Sequence, residues 1–249
     1  MTFSRHARLA AQLALFLALL APRASAGPPF ISDDPEPTDY RHYEIYAFAS
    51  GATAKGDVSG NAGIDFNYGA TPNLQLTAVV PLGFDAPSEG PGAVNFGQVE
   101  LAAKWRLLHQ DDIGIDLAVF PRLFLPAGSP RVGERNVSLL LPVWIEKDWG
   151  KWTVFGGTGC VLNRSAATEN YCLTGWTLTR QVFPDLQLGL EVYHQTSPVK
   201  GGRASTSIGT GAKFDVTENV HLLGYIAPTL QNASSTARYT WYSSVLFTF

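Results

Sequence analysis

The sequence predicts an all-β chain: a transmembrane antiparallel up-and-down β-barrel of about twelve strands. Three observations predict it. The chain ends on an uncharged alternating segment, Tyr239 to Phe249, and similar period-two segments recur from Tyr40 onward. The connections between those segments alternate long and short. This last feature separates a membrane barrel from a soluble sandwich, because outer-membrane barrels have tight turns at one end and long loops at the other.

The closing segment reads Tyr-Thr-Trp-Tyr-Ser-Ser-Val-Leu-Phe-Thr-Phe. Side chains alternate faces along a strand. Here Tyr239, Trp241, Val245, Phe247 and Phe249 share one face, and the other is mostly hydroxylic. An edge this apolar invites aggregation in water. A closed barrel in lipid has no free edge, and its outer face is required to be apolar. The ending resembles the closing strand of bacterial outer-membrane barrels. That resemblance implies that Val245, Phe247 and Phe249 are read by the barrel-assembly machinery.

Residues 1–26 read as a secretory signal peptide. Arg5 and Arg8 precede an apolar run from Leu9 to Leu20, and Ala24-Ser25-Ala26 offers a cleavage site before Gly27. The run is too short to span a bilayer comfortably. Removing the signal takes away three arginines and no acid, so the formal charge moves from -3 to -6. That acidity argues against a nucleic-acid partner, which needs a basic surface. The expected location is the bacterial outer membrane, with lipid as the surrounding partner.

Residues 27–39 form an arm with four prolines, too many for a regular strand or helix. A solvated leader is the expected state, and folding back into the barrel mouth is the alternative. Residues 40–249 make the barrel. The expected strands are 41–50, 63–68, 74–83, 96–107, 113–124, 137–147, 152–162, 171–182, 186–195, 206–215, 220–227 and 239–249. Long loops are expected at 51–62, 84–95, 125–136, 163–170, 196–205 and 228–238, and short turns between the other pairs.

The clearest strand runs from Gln98 to Leu107. Val99, Leu101, Ala103, Trp105 and Leu107 share one face; Gln98, Glu100, Lys104 and Arg106 share the other. A charge facing lipid near the midplane costs roughly 2–4 kcal/mol, so the charged face looks inward. The next strand repeats the pattern, with Asp116 and Arg122 inward. A hairpin symmetric about Gln110 sets Lys104 opposite Asp116 and Gln98 opposite Arg122. Across the ladder the lumen-facing set includes Glu44, Gln98, Glu100, Lys104, Arg106, Asp116, Arg122, Glu191 and Lys213. His42, Asp65, Asn67, Glu146 and Gln187 fall on the same face. Such a wall either lines a solute path or fills a closed barrel with ion pairs, and twelve strands lie between these cases.

Aromatic residues collect at strand ends, as girdles at the headgroup level do. Tyr43, Tyr68, Trp105, Trp152, Phe214 and Phe249 fall near the short turns. Phe84, Phe96, Tyr171 and Tyr239 fall near the long loops. Cys160 and Cys172 lie equally far from Ala166 and are set opposite each other across one hairpin. An exported chain allows a disulfide there. The histidines of the mature chain stand apart, so no metal site is expected. No hydrolase motif occurs, no catalytic residue is assigned, and no cofactor is expected.

Four stretches carry a family resemblance. They are Gly-Pro-Pro-Phe-Ile-Ser-Asp-Asp-Pro at 27–35, Gln-Val-Glu-Leu-Ala-Ala-Lys-Trp-Arg at 98–106, Thr-Gly-Trp at 174–176, and Leu-Gly-Leu-Glu-Val-Tyr-His-Gln-Thr at 188–196. Together they are similar to a bacterial family named for the MetA pathway of phenol degradation, whose members are called transporters. Ser32, where Thr is expected, and the two cysteines depart from its pattern. The resemblance implies an outer-membrane barrel that passes small aromatic or hydrophobic solutes. A structural barrel with a closed lumen is the main alternative, followed by an outer-membrane lipid hydrolase.

Overall fold

The computed structural model describes residues 29–128, 136–163 and 168–249. The signal-peptide reading and the cleavage site after Ala26 lie outside the described residues. Twelve antiparallel strands close on themselves. In order they are β1 (Tyr43–Ala54), β2 (Asp57–Thr71), β3 (Leu74–Ala86) and β4, in two pieces, Ala93–Phe96 and Gln98–Leu108. Next come β5, also in two pieces, Asp116–Val119 and Arg122–Pro126, then β6 (Ser138–Trp149), β7 (Trp152–Asn163) and β8 (Tyr171–Phe183). The last four are β9 (Leu186–Gln195), β10 (Ser205–Thr217), β11 (Val220–Gln231) and β12 (Tyr239–Thr248).

Closure comes from β12 pairing with β1, with Tyr46 opposite Leu246 and Phe48 opposite Ser244. Beyond the ladder, Tyr43 and Phe249 exchange both backbone hydrogen bonds at 3.0 Å. No sheet edge remains, which is how a β-structure satisfies its backbone in lipid.

Period two sorts the side chains. On β3, Gln75, Thr77 and Val79 are buried, while Leu76, Val80 and Leu82 are exposed. On β9, Gln187, Glu191 and Tyr193 are buried, and Leu188, Leu190 and Val192 lie outside. The wall therefore has a polar inside and an apolar outside, the reverse of a water-soluble fold and the arrangement a bilayer requires. No described helix is long and apolar enough to cross a membrane; the crossing is made by strands.

Three expectations need correction. The stretch 51–62 is not a long loop. β1 and β2 stay paired to Ala54 and Asp57, joined by Lys55 and Gly56 with φ of 54° and 98°. Two successive left-handed residues make the tight hairpin turn whose twist matches the strands.

The β4–β5 hairpin is not centred on Gln110. A helical turn, α1 (Gln110–Ile113), fills the connection and ends on Gly114 in the left-handed conformation. Pairing therefore centres near Asp112, with Trp105 opposite Val119 and Ala102 opposite Arg122. This shift of four residues preserves every inside–outside assignment, because four is even. It re-partners the charges: Gln98 lies opposite Pro126, not Arg122, and Lys104 pairs elsewhere.

The aromatic bands are also only partly girdles. Trp105, Trp152, Phe214, Phe96, Tyr239 and Phe249 are exposed on the outside. Tyr171 instead packs against an inner cluster containing Leu140, Val161, Leu173 and Tyr193, and Phe84 lines the lumen at the long-loop end.

Candidate functional site

The lumen holds the N-terminal arm. Residues 29–39 run up inside the barrel from the short-turn rim, and Ser32, Asp34 and Thr38 are buried. The solvated-leader expectation is thus replaced by its alternative, for reasons visible along the arm.

Three strands leave space for its tip. Gly175 on β8, Gly189 on β9 and Gly211 on β10 all face inward, and Gly189 and Gly211 are cross-strand partners. A Cβ on Gly189 would lie 2.4 Å from the Phe30 ring, and one on Gly211 2.8 Å from it. A Cβ on Gly175 would lie 2.1 Å from the Ser32 hydroxyl oxygen. Phe30 fills this seat edge-to-face with Phe155 and Tyr225, with ring centroids 5.9 and 5.7 Å away.

Glu191 anchors the backbone beside it. One carboxylate oxygen accepts the Ser32 N–H at 2.6 Å. The other accepts the Ile31 N–H at 3.2 Å and the Tyr225 hydroxyl. Glu191 is only 1% exposed, and these donors supply what a buried carboxylate needs.

Further down, Lys104 Nζ donates to Asp33 at 3.0 Å, to Asp34 at 3.2 Å and to the Glu36 carbonyl at 3.2 Å. Arg106 lies 3.6 Å from the Glu36 carboxylate and 3.8 Å from Asp116. The expected Lys104–Asp116 pair is therefore not formed: both residues face the lumen, but the arm takes Lys104 and leaves Arg106 to Asp116. Burial pushes the Asp34 carboxyl well above the usual range, against the pull of Lys104. At the base, Gln75 Oε1 accepts from the Thr38 N–H at 2.8 Å, and Gln75 Nε2 donates to Asn67 at 2.7 Å.

Away from the arm, Arg122 grips Glu100 with two parallel bonds of 2.6 and 2.9 Å. Its guanidinium lies over Phe120 and Phe124. The Tyr46 hydroxyl donates to Glu44 at 3.1 Å, and Gln98 donates to the Asn136 carbonyl at 3.2 Å.

On either side of the arm lies a cavity of about 1060 Å³, and Glu36 borders both. The long-loop cavity is lined by Glu44, Gln98, Glu100, Lys104 and Arg122 together with Tyr46, Phe48, Phe124, Trp241 and Tyr242. The short-turn cavity takes in Arg106, Asp116 and Lys213. Of the lumen-facing residues named from the sequence, Glu44, Asp65, Asn67, Gln98, Glu100, Lys104 and Arg122 line the first space and Arg106, Asp116, Gln187 and Lys213 the second; Glu146 and Glu191 are buried but line neither, and His42 is exposed. The arm's own Asp33, Asp34 and Glu36, and the wall's Gln75 and Tyr225, were not among the residues so named.

Cys160 and Cys172 are cross-strand partners on β7 and β8 and are joined by a disulfide on the outward face. His194 contacts Thr206 at 2.9 Å. His221 pairs with Asp215 at 2.6 Å and meets the Thr248 hydroxyl at 3.4 Å. That hydroxyl also faces the Glu218 carbonyl at 3.4 Å, so the group braces the end of β12. Among the described residues no cluster of three potential metal ligands occurs.

No family model matches the chain, and no curated protein matches it. Solved structures do. An outer membrane channel from Pseudomonas putida F1 superposes with a TM-score of 0.68 at 16% identity, over 90% of this chain and 100% of that one. The KdgM porin gives 0.60 at 9% identity, over 83% of this chain and 99% of that one. The NanC porin gives 0.56 at 6% identity, over 82% and 98%. At these identities the likeness is one of fold: the chain has the closed antiparallel barrel that those outer-membrane proteins share.

Proposed function

We propose that this chain is a bacterial outer-membrane channel that lets small molecules pass by diffusion when its N-terminal arm leaves the lumen. It is exported by cleavage after Ala26 and assembled through the closing strand that ends in Val245, Phe247 and Phe249. It is a member of the family named for the MetA pathway of phenol degradation. The observation that carries this reading is the arm itself. Two cavities of about 1060 Å³ are parted by a segment that contributes no strand to the barrel.

Small aromatic compounds are the proposed solutes. In the long-loop cavity Phe48, Phe124 and Tyr242 stand beside Glu44 and Arg122. Such a wall stacks a ring while its ion pairs keep the path wet.

Single-channel conductance of the refolded mature protein, intact and with 27–39 deleted, tests the reading. Discrete steps that grow or first appear on deletion support it. A folded barrel that stays silent in both forms overturns it and leaves a closed structural barrel. Relief of silence with no effect of phenol-sized aromatics on the current would overturn the solute class alone.

A further inference from the structure

Five carboxylates crowd the stretch of lumen between the two cavities. Asp33, Asp34 and Glu36 come from the arm. Asp116 and Glu146 come from cross-strand partner positions on β5 and β6. Among the described residues two wall cations pair with them. Lys104 is taken by Asp33 and Asp34, and Arg106 by Glu36 and Asp116.

Glu146 has neither. It is 1% exposed, and neither of its oxygens has a hydrogen-bond partner. The charges that act on it most strongly, Asp34, Glu36, Asp148 and Asp116, are all acidic. Asp34 Oδ2 is likewise buried without a partner. Buried carboxylates are paired or hydrogen-bonded as a rule. Two cations cannot pair with five acids in any rotamer, so Glu146 is left to be neutralised from outside the chain, by a proton or by a cation that displaces it.

The approach is favourable from both ends. The long-loop cavity is lined by seven carboxylates against two basic side chains, and the short-turn cavity by seven against Arg106, Lys151 and Lys213. Clefts lined by one sign of charge concentrate the opposite ion. The chemistry is not that of a chelated divalent metal. No three ligating groups converge among the described residues, whereas calcium takes six to eight oxygens. One or two carboxylates with water suit a monovalent cation or an organic ammonium group.

We infer that Glu146, in the negative field of Asp34 and Asp116, binds a monovalent cation or an ammonium group at the waist of the lumen and makes the path selective for cations. The selectivity rests on the channel reading; the binding does not. When the arm leaves, Asp34 goes with it, and Glu146 and Asp116 remain on the wall.

Two measurements test this. The first is heat denaturation of the refolded mature protein in detergent at fixed ionic strength. The chloride salt is potassium, methylammonium or the bulky N-methylglucammonium. The wild type melts higher with at least one of the small cations than with the bulky one, and Glu146→Gln loses that difference. An effect of potassium alone assigns an inorganic ion; an effect of methylammonium assigns the ammonium head of a solute. Equal midpoints in all three salts overturn the site whether or not the barrel conducts.

The second is the reversal potential of the 27–39 deletion across a potassium chloride gradient. A several-fold preference for potassium over chloride is expected, reduced by Glu146→Gln. A reversal potential at zero or of anion sign overturns the selectivity. Silence in this assay counts against the channel reading, and the melting series still decides the site.

Discussion

Lys104 is the residue whose loss should open the lumen most. Its ammonium compensates Asp33 and Asp34, and the Lys104 and Asp34 side chains are 6% and 1% exposed. Lys104→Met keeps the chain length and removes the charge, which leaves two arm carboxylates buried without it. Breaking a buried ion pair from one side costs about 3–5 kcal/mol. Asp33 is 16% exposed, and both cavities admit water, so about 2–3 kcal/mol is the better figure here.

In this protein the cost falls on the docked state alone, because an undocked arm carries its acids into solvent. At about 1.4 kcal/mol per decade, the undocked fraction rises ~30- to 160-fold. Ser32→Cys supplies the assay. The Ser32 hydroxyl has no hydrogen-bond partner, so the swap sacrifices none. The two native cysteines are bonded to each other. The new thiol is buried when the arm is docked and open to a water-soluble maleimide when it is not. Lys104→Met should raise the labelling rate by the same ~30- to 160-fold, and Lys104→Arg should restore most of the protection. A rate within twofold of the parent, in a barrel that still resists heat in detergent, would refute the claim that this ion pair holds the arm.

Three further outcomes are expected. Glu191→Gln preserves the shape but weakens the acceptor for the Ile31 and Ser32 N–H groups, so labelling at position 32 should rise about tenfold, a loss of roughly 1–2 kcal/mol. Gly189→Leu drives a side chain into the Phe30 ring; it should expel the arm as measured by the same labelling, while the melting of the barrel moves little. Acid should close the channel. The docked Asp34 carboxyl, raised by burial and bordered by Lys104, Asp33, Glu36 and Glu146, holds its proton more tightly than a free one. A free carboxyl titrates near ~4, so the docked state gains as pH falls from neutral toward that value. Open probability in bilayers should drop as the pH falls from neutral toward ~4, and Asp34→Asn should flatten the dependence; a rise on acidification would contradict it.

The barrel was legible because its signals are redundant. A one-residue error in a strand would put Glu100 or Lys104 in lipid, so the charged alternation from Gln98 to Leu107 admits one parity only. Partners were less legible than faces. The register of the β4–β5 hairpin depends on how Gln110–Ile113 is coiled, and four residues of helix consume chain without appearing in a period-two pattern. The loop expected at 51–62 failed for a related reason: Gly51, Ser59 and Gly60 lack the greasy alternation of a lipid face, yet their backbones still pair. The arm was the largest miss. Its signal lay divided between distant places: the apolar Phe30-Ile31 pair in an acidic leader, the inward glycines of β8 to β10, and the basic Lys104 and Arg106. None of these points to the others until the wall is closed.

That division also explains how a plug can be removable in a barrel built to be permanent. The described part of the arm adds no strand, and its backbone meets the wall's ladder only at the rim, where Tyr40 bridges Gly69 and the Arg41 N–H donates to the Gly69 carbonyl at 2.7 Å. Arg41 there has φ of 66°, a left-handed turn at the point where arm becomes strand. The other holds named on the described arm run through wall side chains: Glu191, Lys104, Arg106, Gln75, the ring seat around Phe30 and the apolar cluster against which Ile31 packs. Withdrawing it would break none of the ladder's pairing, so the proposed opening is a shift between two folded states and not partial unfolding. The contacts that set this balance are buried charges, whose worth changes sharply with water access. A change of pH, or a cation at the waist, would therefore act on the balance while the strand ladder stays as it is. On the proposed reading, the residues that brace the lumen around the docked arm would line the path once the arm has left.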